Sequence, residues 1–297
     1  AFDYETKFYL SLHKMDTLGN LIYSHDYAPT SNQSDADVGN PLQIVPATGG
    51  GFAITFEERF WSGYMTNQDA YCLKVDSLGN EQWRCAIGHH DTVNYRPFVF
   101  PRENGNYYFT YSDPMIVNTI GSDVSPMMND SSTIWFGEIS AEGDVLWKRN
   151  LNRDINLQGH FYVNDVYEDE QGYIYLSGEM EHVNIMGFLL KINPSHEAEW
   201  MQQYLCFPDN TDAGGTYTKL YGLTPTSDGG FAMTGEYFSS DSEMFPGGTQ
   251  SSLVIKVDEC GCLEAGCNPD CYTSTPQVQY IRMLPLEVYP NPAGRQI

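Results

Sequence analysis

One short pattern returns along the chain and constrains the fold more than any other feature. It reads apolar, Lys, apolar, Asp, then Gly-Asn and a bulky aromatic. The clearest copies are Leu12-His13-Lys14-Met15-Asp16-Thr17-Leu18-Gly19-Asn20-Leu21-Ile22-Tyr23 and Leu73-Lys74-Val75-Asp76-Ser77-Leu78-Gly79-Asn80-Glu81-Gln82-Trp83. Weaker copies run from Glu138 to Trp147, from Lys191 to Trp200 and from Lys256 to Gly261. The positions of Lys14, Lys74, Glu138, Lys191 and Lys256 set a period of about sixty residues, the mark of repeated supersecondary units.

The residue types explain the local geometry. Asp bonds its own backbone two residues on, Gly supplies a positive φ, and Asn tolerates the left-handed region, so each copy predicts two strands joined by a tight turn. Upstream of four hairpins, glycine precedes an aromatic strand: Gly51-Phe52-Ala53-Ile54, Gly105-Asn106-Tyr107-Tyr108-Phe109, Gly172-Tyr173-Ile174-Tyr175-Leu176 and Gly230-Phe231-Ala232-Met233. A short apolar strand comes before each, at 42–45, 97–100, 162–167 and 220–223. Four antiparallel strands per repeat is the content of a propeller blade, and five repeats predict an all-β β-propeller of about five four-stranded blades.

The expected organisation is propeller repeats over 1–262, a Cys-rich staple over 260–271, and closing strands with a terminal segment over 272–297. The chain opens on an outer hairpin alone, so strands at 278–283 and 286–289 are expected to complete the first blade; blades preceding Ala1 are the alternative. The insertions 57–67, 112–132 and 239–251 fall between the second and third strands of their blades and are expected as loops on one rim, where binding usually resides. Phe60, Trp61 and Tyr64 in the first, and Met115, Met127 and Met128 in the second, are the candidate contact residues.

Composition narrows the partners. A formal charge of −24 repels phosphate backbones and anionic lipid, which argues against nucleic acid and membrane surfaces. No apolar run approaches the roughly twenty residues that span a bilayer.

At these residues the chain resembles a known group: Gly50-Gly51-Phe52 followed by Lys74-Val75-Asp76-Ser77-Leu78-Gly79-Asn80-Glu81-Gln82-Trp83 is similar to propeller-like repeats of exported Bacteroidetes proteins, over roughly 7–262. Leu286-Glu287-Val288-Tyr289-Pro290-Asn291-Pro292-Ala293 resembles the opening of the C-terminal sorting domain read by the type IX secretion machinery. That domain normally continues for many more residues. The resemblance implies export across the outer membrane, with release or surface attachment. The hairpin departs from sialidase Asp boxes, which place Ser where Lys74 stands, and from tryptophan-docking repeats, which are one residue longer between Asp and Gly.

Export bears on the cysteines. Cys260, Cys262, Cys267 and Cys271 lack paired Cys-x-x-Cys steps, and an oxidising exterior favours two disulfides over zinc, with three connectivities open. Cys72 and Cys85 flank the Asp76 turn symmetrically and predict a cross-strand disulfide; Cys206 is left as a buried thiol.

Catalytic constellations are sparse. There is no nucleophile elbow and no phosphate loop. His89-His90-Asp91 reads as a surface turn rather than a metal site. Glu57 with Glu58, and Glu179 with Glu181, are the acid pairs that fit a glycosidase. No cofactor is expected; Asp35, Asp37 and Asn40, or Asp209, Asn210 and Asp212, are the oxygen clusters that would suit structural calcium, although no EF-hand spacing supports them. Trp83, Trp147 and Trp200 share one repeat position and are expected to pack between blades.

The sequence therefore favours a secreted or cell-surface, non-catalytic β-propeller acting as an adhesion or structural module. Its expected partners are a protein, a glycan or further copies of itself. A secreted glycoside hydrolase or glycan-binding module is the alternative.

Overall fold

The computed structural model describes residues 8–30, 36–62, 65–88, 93–114, 132–155, 159–181, 184–206, 216–242, 245–263 and 277–281. Among them the architecture is that of a β-propeller of about five blades. A hairpin, β1 (Leu10–Met15) and β2 (Leu21–Tyr27), precedes two four-stranded antiparallel blades. These are β3 (Ala36–Pro46), β4 (Phe52–Ser62), β5 (Met65–Val75) and β6 (Glu81–Ala86), then β7 (Tyr95–Pro101), β8 (Tyr107–Pro114), β9 (Ser132–Ile139) and β10 (Val145–Asn150). A 3₁₀ turn, Leu151–Arg153, leads into the fourth blade: β11 (His160–Glu168), β12 (Ile174–Glu181), β13 (Ile185–Ile192) and β14 (Ala198–Cys206). The fifth contributes β15 (Tyr217–Pro225), β16 (Phe231–Ser242) and β17 (Phe245–Val257). Among the described residues no helix is long and apolar enough to cross a membrane.

The described parts of the middle strands of the second, third and fourth blades are buried on both faces, which is why they read as largely apolar and aromatic runs, whereas in the fifth blade β16 and β17 leave one face open at Thr234, Ser252, Val254 and Lys256. Successive side chains on a strand point to opposite faces. Ile54 and Phe56 accordingly pack with Leu10 and Tyr27 of the first hairpin, while Ala53 joins Tyr107, Phe109 and Tyr111 of the third blade. In the same way Leu176 packs toward Phe136 and Phe161, and its neighbour Tyr175 packs toward Phe231 and Met233.

The repeated turns join one blade to the next. In each, the side chain of residue one (Asp16, Asp76, Ser140, Asn193 or Asp258) accepts backbone N–H bonds from two and four residues on, at 2.8 to 3.2 Å. Three residues on stands a positive φ: Gly19 (85°), Gly79 (84°), Gly143 (98°), His196 (63°) and Gly261 (73°). The recurring aromatic of the preceding blade lies against that residue. A Cβ at Gly143 would meet Trp83 at 2.7 Å, one at Gly79 would meet Tyr23 at 2.9 Å, and one at Gly261 would meet Trp200 at 3.1 Å. Trp83 also donates from Nε1 to the Ala141 carbonyl at 2.9 Å. The aromatic position is thus a joint between blades. The turn of the first hairpin has no such cover, since nothing described lies within 4 Å of a Cβ at Gly19.

Two expectations are corrected. Residues 57–62, 65–67, 239–242 and 245–251 are strand rather than rim loop: β4 and β5 stay paired out to Ser62↔Met65, and β16 and β17 out to Ser242↔Phe245. The β4–β5 ladder runs on without a shift, and the β16–β17 ladder continues past one irregularity between Ser239 and Asp241. The described part of the expected closing strand, β18 (Gln277–Ile281), does not complete the first blade. It pairs in parallel with β14, Gln202↔Gln277 through Cys206↔Ile281, where the outer edge of the fourth blade offers unpaired backbone groups. Residues 282–297, including Leu286, Val288, Tyr289, Pro290, Asn291 and Pro292, lie outside the described residues.

Candidate functional site at the blade axis

The first strands of successive blades lie side by side, β3 against β7, β7 against β11 and β11 against β15. All four carry a register shift at a similar place: between Tyr95 and Phe98, between Pro41 and Gln43, between Val163 and Asp165, and between Leu220 and Gly222. Such irregularities bend a strand and re-aim its side chains. Arg96 sits inside the first, at a φ of 47°, a left-handed conformation that costs a non-glycine residue of the order of 1–2 kcal/mol.

That conformation makes Arg96 the hub of a polar cluster drawn from four blades. Its backbone N–H donates to Glu57 Oε1 at 3.1 Å, and its Nη1 bonds Glu179 Oε1 at 2.6 Å. Its guanidinium lies 3.9 Å from the Tyr162 ring centre. Lys219 Nζ reaches the other oxygen of Glu179, Oε2, at 2.7 Å. Arg59 approaches Glu57 Oε2 at 3.9 Å. Glu57 and Glu179 are 4% and 2% exposed, so neither carboxyl is open to a substrate in this arrangement.

The two carboxyls differ in environment. Burial raises the pKa of Glu57 above its ordinary value, against the opposing effects of the Arg96 N–H and of Arg59 and Arg96. Glu179 has a cation on each oxygen. Burial also lifts the Tyr162 hydroxyl to about 12, keeping it neutral. A buried charge stabilised from both sides is costly to break and serves first to fix one arrangement of its neighbours. Here it ties β7 of the third blade, β12 of the fourth and β15 of the fifth together, with Glu57 of the second held through the Arg96 N–H.

The acid pairs expected from sequence are thus rearranged. Glu57 and Glu179 meet through Arg96, whereas Glu58, on the opposite face of β4, accepts from the Thr30 N–H at 2.6 Å and faces Arg84 at 3.6 Å. Glu181 ends β12 opposite His160 and Ile185. Sequence reasoning missed Arg96 and Lys219. Their only signal was scarcity, as two of 15 basic residues among 39 acids.

The remaining expected sites fall as follows. Phe60 and Trp61 belong to β4 rather than to a loop, with side chains outside the described residues; Tyr64, Met115, Met127 and Met128 lie outside them altogether, as do His89, His90, Asp91, Asp35, Asp209, Asn210 and Asp212. Asp37 accepts from the Phe8 N–H. Among the described residues no group of three or more His, Cys, Asp or Glu could hold a metal ion.

The Cys72–Cys85 disulfide is not formed: both are free thiols, directly opposite in the β5–β6 register. The Ile87 N–H donates to the Ala70 carbonyl, so by alternation Cys72 and Cys85 occupy a hydrogen-bonded pair, where opposing side chains stand farther apart. Burial pushes the Cys85 thiol up to about 12 and Cys72 well above its usual range, which removes the thiolate that exchange requires. Cys260 and Cys262 are disulfide-bonded, while Cys267 and Cys271 lie outside the described residues. Cys206 is a buried thiol.

No protein-family model matches the chain, and no curated protein does. Among solved structures, a GH43 beta-1,3-galactosidase with galactodeoxynojirimycin aligns at 12% identity over 82% of this chain and 81% of its own, with a TM-score of 0.44. The endo-arabinase of Bacteroides thetaiotaomicron aligns at 13% over 84% and 92%, with a TM-score of 0.38. A protein of unknown function from Bacteroides caccae aligns at 9% over 82% and 84%, with a TM-score of 0.30.

Proposed function

We propose that this chain is an exported, non-catalytic β-propeller that works as an adhesion or structural module at the cell exterior. Its partner on this reading is a protein, a glycan or a second copy of itself. The observation that carries the reading is the state of the two convergent carboxyls: Glu57 and Glu179 are buried, and the cations of Arg96 and Lys219 sit on Glu179 where a substrate would have to enter. Delivery by the type IX machinery rests on the Leu286-Glu287-Val288-Tyr289-Pro290-Asn291-Pro292 resemblance.

One observation favours the second reading, a glycoside hydrolase. Two buried carboxyls in one cluster, one of them, Glu57, raised by burial, are elements that sugar-bond hydrolysis uses. It would require Arg96 to swing away and open the axis.

The test is a hydrolysis assay of the purified chain on arabinan and on β-1,3-galactan, alongside Glu57→Gln, with the same samples tested for retention on immobilised glycans and on copies of the chain. Retention without hydrolysis supports the module. Hydrolysis that Glu57→Gln abolishes overturns it.

A further inference from the structure

A second polar region lies away from the axis, where the outer strand of the third blade meets the turn of the fourth. It is an open pocket of about 400 Å³, walled by Trp135, Lys148, Arg149, Arg153, Ser195 and His196. In a chain of net charge −24, every charged group lining it is basic.

The three cations are held differently. Arg149 is engaged, with Nη2 and Nε on Asp154 at 2.6 and 3.1 Å and Glu197 at 3.5 Å. Lys148 is half-buried between Tyr111 and Trp135, at 5.8 and 5.6 Å from their ring centres, with its Nζ 3.4 Å from the Ile87 and Gly88 carbonyls and Asp113 the nearby acid. Arg153 is exposed at the end of the 3₁₀ turn and forms no ion pair among the described residues. Lys148 is thus committed to the second blade, on the face of β10 opposite Trp147 and Arg149, and the pocket offers one guanidinium, that of Arg153, with no ion pair among the described residues.

A second, independent observation marks the same place. His196 occupies the turn position that is glycine in the four other repeats, and it holds a φ of 63° to do so. Its imidazole stacks on Trp147 at 3.8 Å and 12°, where Trp83 lies directly on Gly143 in the neighbouring joint. Left-handed non-glycine residues cluster at binding sites, because strain persists only where the surroundings enforce it. Here the departure from the repeat puts an imidazole beside the cations and props the joint open.

We propose that this pocket binds an acidic saccharide, with the carboxylate or sulfate of a uronate or sulfated sugar on Arg153 and the ring against His196. The aromatic walls and the volume suit a ring-sized ligand rather than a bare inorganic ion. The inference deepens the reading of the chain as a binding module.

The test is titration calorimetry of the whole protein with a uronate-containing disaccharide, a sulfated disaccharide, the neutral disaccharide of the same linkage, and inorganic sulfate. The acidic disaccharides are expected to bind, and the neutral sugar and free sulfate at least tenfold more weakly. Arg153→Gln, an exposed change, is expected to weaken acidic-sugar binding about tenfold, the scale of one charge-assisted contact. His196→Gly restores the glycine of the other repeats and is expected to keep the fold while lowering affinity. Binding of neutral and acidic sugars alike, no binding of either acidic sugar, binding of sulfate as tight as that of the sugars, or affinity unchanged in both variants would overturn the proposal. Hydrolysis at the axis would overturn the non-catalytic reading and leave these affinities standing, so the two failures are distinguishable.

Discussion

At the axis, Arg96 and Lys219 both bind the buried carboxylate of Glu179, whereas at the rim Arg153 stands exposed beside an open volume of about 400 Å³. The two regions hold cations of the same kind in opposite ways. Enclosed and neutralised charges fix the positions of the strands they join, because removing one member strands the others in a poorly hydrated place. Arg153, exposed and without an ion pair among the described residues, keeps its capacity for a ligand, whereas its neighbour Arg149 is held by Asp154 and Glu197. The backbone shows a matching contrast. The joint of Trp83 on Gly143 is closed by the absence of a side chain, and that of Trp147 on His196 is held apart by an imidazole.

The largest effect should come from Glu179→Ala, which leaves Arg96 and Lys219 facing each other across the axis. A loss of about 3 kcal/mol is expected, toward the low end for a broken buried pair because Arg96 is partly exposed. Urea denaturation measures it, and a loss near zero would break the assignment of the axis cluster to the fold. Next comes Gly143→Ala, where a methyl would press on the Trp83 ring from a φ of 98°. Strain and overpacking together predict a loss of about 2–4 kcal/mol by the same measurement.

Glu57→Gln sharpens the account through pH. The folded-state pKa of Glu57 is raised above its ordinary value by burial, so the native state binds its proton more tightly than the unfolded chain does. Its charged form therefore lowers stability increasingly as pH rises from the ordinary carboxylate value through the raised one. The variant should gain melting temperature relative to the parent toward neutral pH and lose that advantage in acid; a difference independent of pH would contradict the burial argument. The smallest effect is expected from His196→Gly: relief of the left-handed strain and loss of the Trp147 stack nearly cancel, leaving stability within about 1 kcal/mol. Set beside Gly143→Ala, it separates a joint that needs glycine from one that does not.

Much of the scaffold was legible in the chain. The Asp-to-Asn turns, the glycine-led aromatic strands and the packing role of Trp83, Trp147 and Trp200 all follow from local chemistry, because turns and alternation are set by neighbouring residues. The long ladders over 57–62, 65–67, 239–242 and 245–251 were not, since their polar, serine- and acid-containing stretches look like loops until a partner strand is known. Pairing of β18 with β14 was equally hidden, as strand order at a sheet edge depends on which edge lies open in space. The axis cluster was half legible. Glu57 and Glu179 could be named as acids of interest, but Arg96 and Lys219 come from other blades, and only the strand irregularities and the stacking of blades bring them together. His196 could have been found earlier, as the one histidine at a turn position otherwise held by glycine.

Hydrogen exchange read by mass spectrometry, with and without a bound acidic disaccharide, tests the division between axis and rim most directly. The account predicts slowed exchange in 147–153 and 193–198, with the segments around Arg96 and Lys219 unchanged. Slowing centred on Arg96, Glu179 and Lys219, with the rim unaffected, would contradict it.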